Sequence, residues 1–402
     1  MGRIAAVTLA DPQAAAPVSA AAGPDRKLVV FGFDASEAAQ RRRIRSYMEC
    51  GYDVLGLTMR RQNMTHDAEP FWDNVPLGET QNAAMGQRLR AIAAALPKIW
   101  RARDRMRGAR TIVARNLDML ILGAAAQAML RPRPRLVYEC LDIHGMMTDP
   151  GAKGRVARAV ERRLLARCDA IVVSSDAFVR NYFAPIQGWT GDVRLVENKI
   201  WLGPDAPPRP AAADVRTRTD GPMVLGWVGT LRCARSLEIL ADVARRMGPK
   251  IEIRLHGIVH RDSLLDFDAL VAGQENLTYR GPYRYPDGLR DIYRACDAVW
   301  AQDLWQWGTN STWLLPNRIY EAGYFGCPTI AVTGTETGRR VADGLGWAIP
   351  SPDAEALESL LSRLTREDLA ARRRALLEMP EGTFRQSRDE ISASVDQSGL
   401  AA

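Results

Sequence analysis

Leu315-Pro316-Asn317-Arg318-Ile319-Tyr320-Glu321-Ala322-Gly323-Tyr324-Phe325-Gly326-Cys327-Pro328-Thr329-Ile330 reads as a short helix, a Gly–Cys–Pro turn and the start of a strand. Outward from it the same unit recurs. Upstream, Ala298–Ala301, Leu277–Tyr279, Ile251–Leu255 and Val224–Val228 are short apolar runs suited to buried strands, and Thr329–Val332 continues them. Helices are expected over Asp287–Arg294, Asn317–Tyr324 and Asp353–Thr365, and Leu237, Leu240, Ala244 and Met247 mark one face of another. Strands alternating with helices predict a parallel sheet covered on both faces.

The rhythm also occupies the first half. Leu28–Phe31, closed by Gly32, begins it, and Tyr52–Leu57, Thr111–Ala114, Leu136–Tyr138, Ala170–Val173 and Val193–Val196 follow. Helical stretches lie between, from Ser36 to Met48, Asn116 to Met129 and Lys153 to Ala166. Between the halves, 203–222 carries Pro204, Pro207, Pro208, Pro210 and Pro222 and few apolar residues, as a linker does. The expected fold class is therefore α/β: two Rossmann-like, doubly wound domains facing a central cleft. The expected order is a disordered lead (1–26), an N-terminal domain (27–202), the linker (203–222), a C-terminal domain (223–365), and a C-terminal helix and tail (366–402).

Composition agrees with a globular protein: of 402 residues, 47% are apolar and 25% charged. No apolar run approaches the ~20 residues that span a bilayer. The Ala- and Pro-rich start, Met1 to Pro24, lacks the apolar core of a secretory signal, so a cytoplasmic chain is expected. Six scattered cysteines without a Cys-x-x-Cys predict reduced thiols rather than disulfides or zinc. Net charge is +7, yet Gly86 to Arg110 alone carries eight basic residues against Asp104, so the excess is local.

In doubly wound sheets, ligands bind beyond the carboxyl ends of the strands. A helix starting there, such as Asn317 onward, attracts anions through free N–H groups and its dipole. Glu321 inside that helix is placed to accept both hydroxyls of a ribose; the plain alternative is a capping or surface glutamate.

The Pro316, Arg318, Glu321, Gly326 and Pro328 spacing resembles the corresponding segment of GT-B glycosyltransferases, in particular glycosyltransferase family 4. The resemblance implies that Glu321 binds the ribose of a nucleotide sugar. Trp227-Val228-Gly229-Thr230-Leu231-Arg232-Cys233-Ala234-Arg235 is similar to the family's strand, glycine loop and downstream cation. That implies a diphosphate site at Gly229, with Arg235 as the better match to the cation and Arg232 as the second, beside Asn317 and Arg318. Guanidinium forks suit phosphate oxygens; solvated arginines at a helix start are the alternative. Asn276 to Pro282 matches a further strand–glycine turn. Tyr138-Glu139-Cys140-Leu141-Asp142-Ile143-His144-Gly145 lies where such enzymes carry a strand-end acid or histidine near the reacting sugar. The resemblance spans roughly Lys27 to Thr365, more specifically in the second half.

Asp142 and His144 alternate, so an extended backbone would put both on one face, as base or as hydrogen-bonding groups for the sugar. A turn-capping Asp142 and a loop His144 are the alternative. The loop Gly32-Phe33-Asp34-Ala35-Ser36, with Arg42 and Arg43 after it, faces the acceptor in this fold; Gly32, Asp34 and Arg42 are its candidates. Trp305 and Trp307 are expected at the cleft rim, stacking on a sugar or base, with Trp300 in the core. One departure stands out. The retaining members of the family carry a first glutamate eight positions before the ribose-binding one, and this chain has Trp313 there. Asp266-Phe267-Asp268 resembles a metal-binding Asp-x-Asp but falls on a helix face, so neither a metal nor a cofactor is expected; the nucleotide sugar is a substrate.

Met85, Leu89, Ile92, Leu96, Ile99 and Trp100 recur at three- and four-residue spacing, with arginines on the flanks. An apolar face, a tryptophan and a cationic rim suit an interfacial helix on an anionic membrane. A helix covering the sheet is the alternative, and no nucleic-acid module accompanies it. The reading is a glycosyltransferase acting on a glycan or lipid-linked acceptor in surface or exopolysaccharide assembly, peripheral to the inner face of the membrane. A nucleotide-sugar epimerase, a phosphorylase and a non-catalytic membrane-docked binding module are the other readings of the same fold.

Overall fold

The computed structural model describes residues 26–61, 69–80, 85–203, 206, 208–215 and 220–396. The expected disordered lead lies outside these but for Arg26, and the linker is described only in part.

Seven strands form the first sheet: β1 (Lys27–Gly32), β2 (Asp53–Arg61), β3 (Asp73–Thr80), β4 (Thr111–Arg115), β5 (Arg135–Cys140), β6 (Ala170–Val173) and β7 (Asp192–Leu195). Their order is β3-β2-β1-β4-β5-β6-β7, all parallel. The second sheet contains β8 (Met223–Val228), β9 (Ile251–His256), β10 (Leu277–Tyr279), β11 (Ala298–Trp300), β12 (Thr329–Val332) and β13 (Gly346–Ile349), in the order β10-β9-β8-β11-β12-β13, again all parallel. The chain is thus two Rossmann-like lobes, as the β/α rhythm predicts. The central strands read as unbroken apolar runs because helices cover both faces: Leu28 and Val30 pack on one side, Val29 and Phe31 on the other.

β3 escapes the sequence reading. Its Pro76 and Gly78 speak against a strand, but β3 is an edge, where a missing ladder donor is tolerated. The first helix starts at Ala38, not Ser36, because the Glu37 carboxylate caps Gln40 N at 2.6 Å.

The C-terminal stretch 366–402, read as one helix and tail, is divided between the lobes. Helix Arg366–Glu378 seals the second lobe through Leu369 and Leu376. Helix Arg388–Val395 crosses back and buries Ile391 and Val395 beside Leu28 and Val30. The two crossovers are bonded together: Ile200 N donates to Phe384 O at 2.9 Å, and Gln386 N to Ile200 O at 3.0 Å.

Candidate functional site

The carboxyl ends of both sheets face each other, and the loops and helix starts just beyond the strands build the site. β8 runs into Gly229, whose φ of +119° a side chain would strain. β9 ends the same way at Gly257, φ +134°, and a Cβ there would fall inside the carbonyl group of Gly229. Gly257, absent from the sequence reading, thus lets the β8 loop lie flat against the β9 loop. The visible signal was two neighbouring strands each closing on a glycine.

Against Gly229 lies Arg318, its Nη2 3.9 Å from where a Cβ would stand. Arg318 belongs to the first turn of helix Asn317–Tyr324, whose N-terminus has Asn317 at its first position and no side-chain cap. Ile319 N donates to Pro316 O at 3.2 Å, which leaves the N–H groups of Asn317 and Arg318 to face an anion. One turn on, Glu321 is buried and accepts from Tyr293 Oη at 3.0 Å. Burial pushes its carboxyl above the ordinary range, and the Arg42 charge, the Tyr293 hydrogen bond and the Arg318 charge pull the other way.

Arg42 is the unexpected member. The sequence assigns it to the acceptor side, but its guanidinium lies over the Tyr285 ring at 5.0 Å, in the other lobe. Burial lowers its pKa, yet Tyr285, Glu321 and Glu37 together raise it above the usual value. Arg42 thus reaches from the first lobe toward Glu321. Arg235, expected beside Gly229, is exposed: it stacks over Trp307 at 5.7 Å and donates to Pro352 O at 3.3 Å. Arg232 lies over Trp305 at 5.9 Å and pairs with Asp303 at 3.6 Å. Trp305 and Trp307 are 45% and 39% exposed, so each ring is partly accessible, while Trp300 is fully buried.

Asp142 and His144 have different hydrogen-bond partners. Asp142 lies between the lobes, where Asn310 Nδ2, from the facing lobe, donates to its Oδ1 at 3.1 Å. Desolvation raises its carboxyl, while Asn310 and the Arg232 charge oppose that rise. His144 caps the short helix Gly145–Thr148, its Nδ1 accepting from Met146 N at 3.1 Å. This hydrogen bond assigns the neutral proton to Nε2, which then donates rather than accepts. Desolvation and the charges of Arg88 and Arg61 lower its pKa, keeping the ring neutral. Asp34 and Gly32 shape the first loop: Asp34 Oδ1 accepts from Ser36 N at 3.0 Å and from Ser36 Oγ at 2.7 Å, and Gln40 packs directly on Gly32. Asp268 of the Asp-x-Asp is paired with Arg261 on the surface.

Trp313 explains the departure from the family pattern. It packs against the apolar core of the first lobe together with Leu314, and Ser175 Oγ donates to its carbonyl at 2.6 Å. The position packs one lobe against the other. Replacing the partly buried Trp313 by glutamate sets a charge beside that apolar contact, and a loss of about 1–3 kcal/mol in chemical denaturation is expected.

Two parallel-sheet lobes, facing each other across a cleft, with a glycine loop, an uncapped helix start and a buried glutamate on the second, define a GT-B glycosyltransferase. Residues 35–199 match the glycosyl transferase 4-like domain. Over 373 residues the chain is 34% identical to the succinoglycan biosynthesis protein ExoL of Rhizobium meliloti, covering 92% of this chain and 93% of that protein. The chain belongs to the glycosyl transferase 4-like family. Among solved structures, sucrose-phosphate synthase from Thermosynechococcus elongatus superposes with a TM-score of 0.67 at 15% identity, covering 92% of this chain and 94% of the other. Anabaena HepE, solved in complex with UDP and glucose, gives 0.64 at 14%, covering 91% and 97%. At these identities the likeness is one of fold.

Proposed function

We propose that the protein transfers a sugar from a nucleoside-diphosphate donor on the second lobe to a glycan or lipid-linked acceptor on the first, in the assembly of a surface polysaccharide or exopolysaccharide. The observation that carries this is the buried Glu321, one helical turn from an uncapped N-terminus and beside Arg318 at Gly229. A diphosphate fits the helix start, Gly229 and Arg318, with Arg232 and Arg235 at its margin; Glu321 then takes the ribose hydroxyls. The biosynthetic setting is supported by the name of the R. meliloti relative, and a nucleoside diphosphate by the UDP in the HepE structure.

In transfer, an acceptor hydroxyl attacks the anomeric carbon, the bond from that carbon to the diphosphate breaks, and the hydroxyl proton passes to a base. Asp142 suits that role: a carboxyl raised by desolvation is a stronger base than a solvated one. His144, a donor at Nε2, suits a sugar oxygen instead. Titration calorimetry with UDP, GDP and their hexoses tests the reading. Binding of at least one of them, weakened in Glu321→Gln, is expected; no binding by any of them overturns it.

The membrane reading concerns helix Met85–Arg101. Ala95 and Ile99 are buried against the sheet, so this helix does cover the core. Its opposite face presents Leu89 and Trp100, 61% and 55% exposed, with Ala93 and Leu96 between them. Arg90, Arg101, Arg105 and Arg107 rim this stripe, all exposed. No described helix is long and apolar enough to cross a membrane. The exposed stripe and its arginines suit docking on an anionic leaflet. The double variant Leu89→Ser, Trp100→Ser is expected to lower co-sedimentation with phosphatidylglycerol vesicles by roughly tenfold or more, with donor binding unchanged. Equal sedimentation of both proteins would remove this stripe from the interface.

A further inference from the structure

With Trp313 packed against the first lobe's core, another residue is needed to hold the donor's sugar ring. Among the described residues of 301–316, which follow β11 into the cleft, the single carboxylate is Asp303. It is 8% exposed and its two oxygens have different fates. Oδ1 is fixed from two directions, accepting Ser311 Oγ at 2.6 Å and Trp305 N at 2.9 Å. Oδ2 has the Arg232 guanidinium at 3.6 Å, beyond hydrogen-bonding distance. Arg232 itself comes from the loop after Gly229, where the proposed diphosphate lies. Across the cleft stands Asp142, held by Asn310 of the same segment, and the charges of both Arg232 and Asp303 act on it. The exposed Trp305 ring, under Arg232, gives this space an apolar wall.

Resting on the proposed donor site, we propose that Asp303 binds the donor's sugar ring by accepting its hydroxyls at Oδ2, and that the Asp142–Asp303 pair restricts the donor to neutral hexoses. Two carboxylates on opposite walls repel a sugar bearing its own carboxylate, and a single guanidinium between them cannot neutralise all three charges. A neutral hexose instead supplies hydroxyl donors to both acceptors, while Trp305 covers an apolar ring face.

The test compares binding of donors differing only at C6, UDP-glucose against UDP-glucuronate and GDP-mannose against GDP-mannuronate, with UDP and GDP as references. The unmodified protein is expected to favour the neutral sugar by roughly tenfold or more, the scale of one hydrogen bond to a charged group. Asp303→Asn keeps an acceptor for Ser311 and Trp305. It is expected to remove most of the affinity that the hexose adds over the free diphosphate, to narrow the neutral-to-uronate ratio, and to leave the diphosphate's own affinity in place. A merely structural Asp303 would weaken both ligands together. Uronate bound as well as hexose by the unmodified protein overturns the proposal, and this measurement does not depend on the variant folding. Unchanged hexose affinity in Asp303→Asn overturns it too, leaving the Glu321 site standing. Failure of every nucleotide to bind the unmodified protein overturns the Glu321 reading and this one with it.

Discussion

Glutamine in place of Glu321 is expected to weaken nucleotide-sugar binding by roughly 100-fold and, at neutral pH, to raise the protein's thermal stability. The first effect follows from the proposed ribose contact. Two hydroxyls donating to one buried carboxylate form charge-assisted bonds of about 1.5–3 kcal/mol each, and an amide keeps one acceptor of lower charge. The second follows from the direction of the pKa shift. Burial lifts the Glu321 carboxyl above its unfolded value despite Arg42, Tyr293 and Arg318. The folded state therefore disfavours ionisation, so the cost is absent below the unfolded carboxylate pKa, grows as pH rises through the interval and is complete above the raised value. The amide never bears it. Melting temperatures of the two proteins should differ most near pH 7–8 and converge toward pH 4. Donor affinity of the unmodified protein should fall on acidification at a higher pH than a solvent-exposed glutamate would impose. Equal or lower stability of the variant at neutral pH would mean that the attraction of the Arg42 and Arg318 charges outweighs desolvation.

Alanine at Gly257 is the second large effect. A methyl group there meets the carbonyl of Gly229, and φ at +134° is a region that side chains avoid. Backbone contacts do not yield as side-chain tips do, so the β8 loop must move or the strand ends must part. A destabilisation of about 2–4 kcal/mol is expected from strain and overpacking together, accompanied by loss of nucleoside-diphosphate affinity, because the displaced residue is Gly229. Denaturant titration and calorimetry on the same sample separate the two. Full affinity in a destabilised variant would detach Gly229 from the diphosphate site.

Much of the architecture was legible because its signals are local. Apolar runs closing on glycine gave strands and their carboxyl ends, and the Pro316 to Pro328 spacing located Glu321 and Arg318. The readings that changed depend on contacts between distant segments. Nothing in the periodicity of Ala38–Glu49 indicates that Arg42 reaches across the cleft to Tyr285, since lobe-to-lobe packing leaves no repeat in sequence. Arg235 fitted the spacing of the family's cation, yet its side chain stacks on Trp307, and Arg318 occupies the place against Gly229. The apolar spacing of Met85–Arg101 mixed two faces: Ile99 serves the core and Trp100 the solvent, and a spacing of three or four residues does not separate neighbours one position apart. Trp313 was read as a missing ligand, but its place against the other lobe's core is decided by tertiary packing.

Because the chain passes between the lobes twice, and Ile200 is bonded to Phe384 and Gln386 where it does so, the cleft has a double-stranded hinge. A single tether would let one lobe swivel freely about the other; two side by side permit opening chiefly about one line, as paired hinges do for a door. Ending the chain before Arg388 would remove the second tether's anchor on the first lobe and uncover Leu28 and Val30, leaving a single line of chain between the lobes.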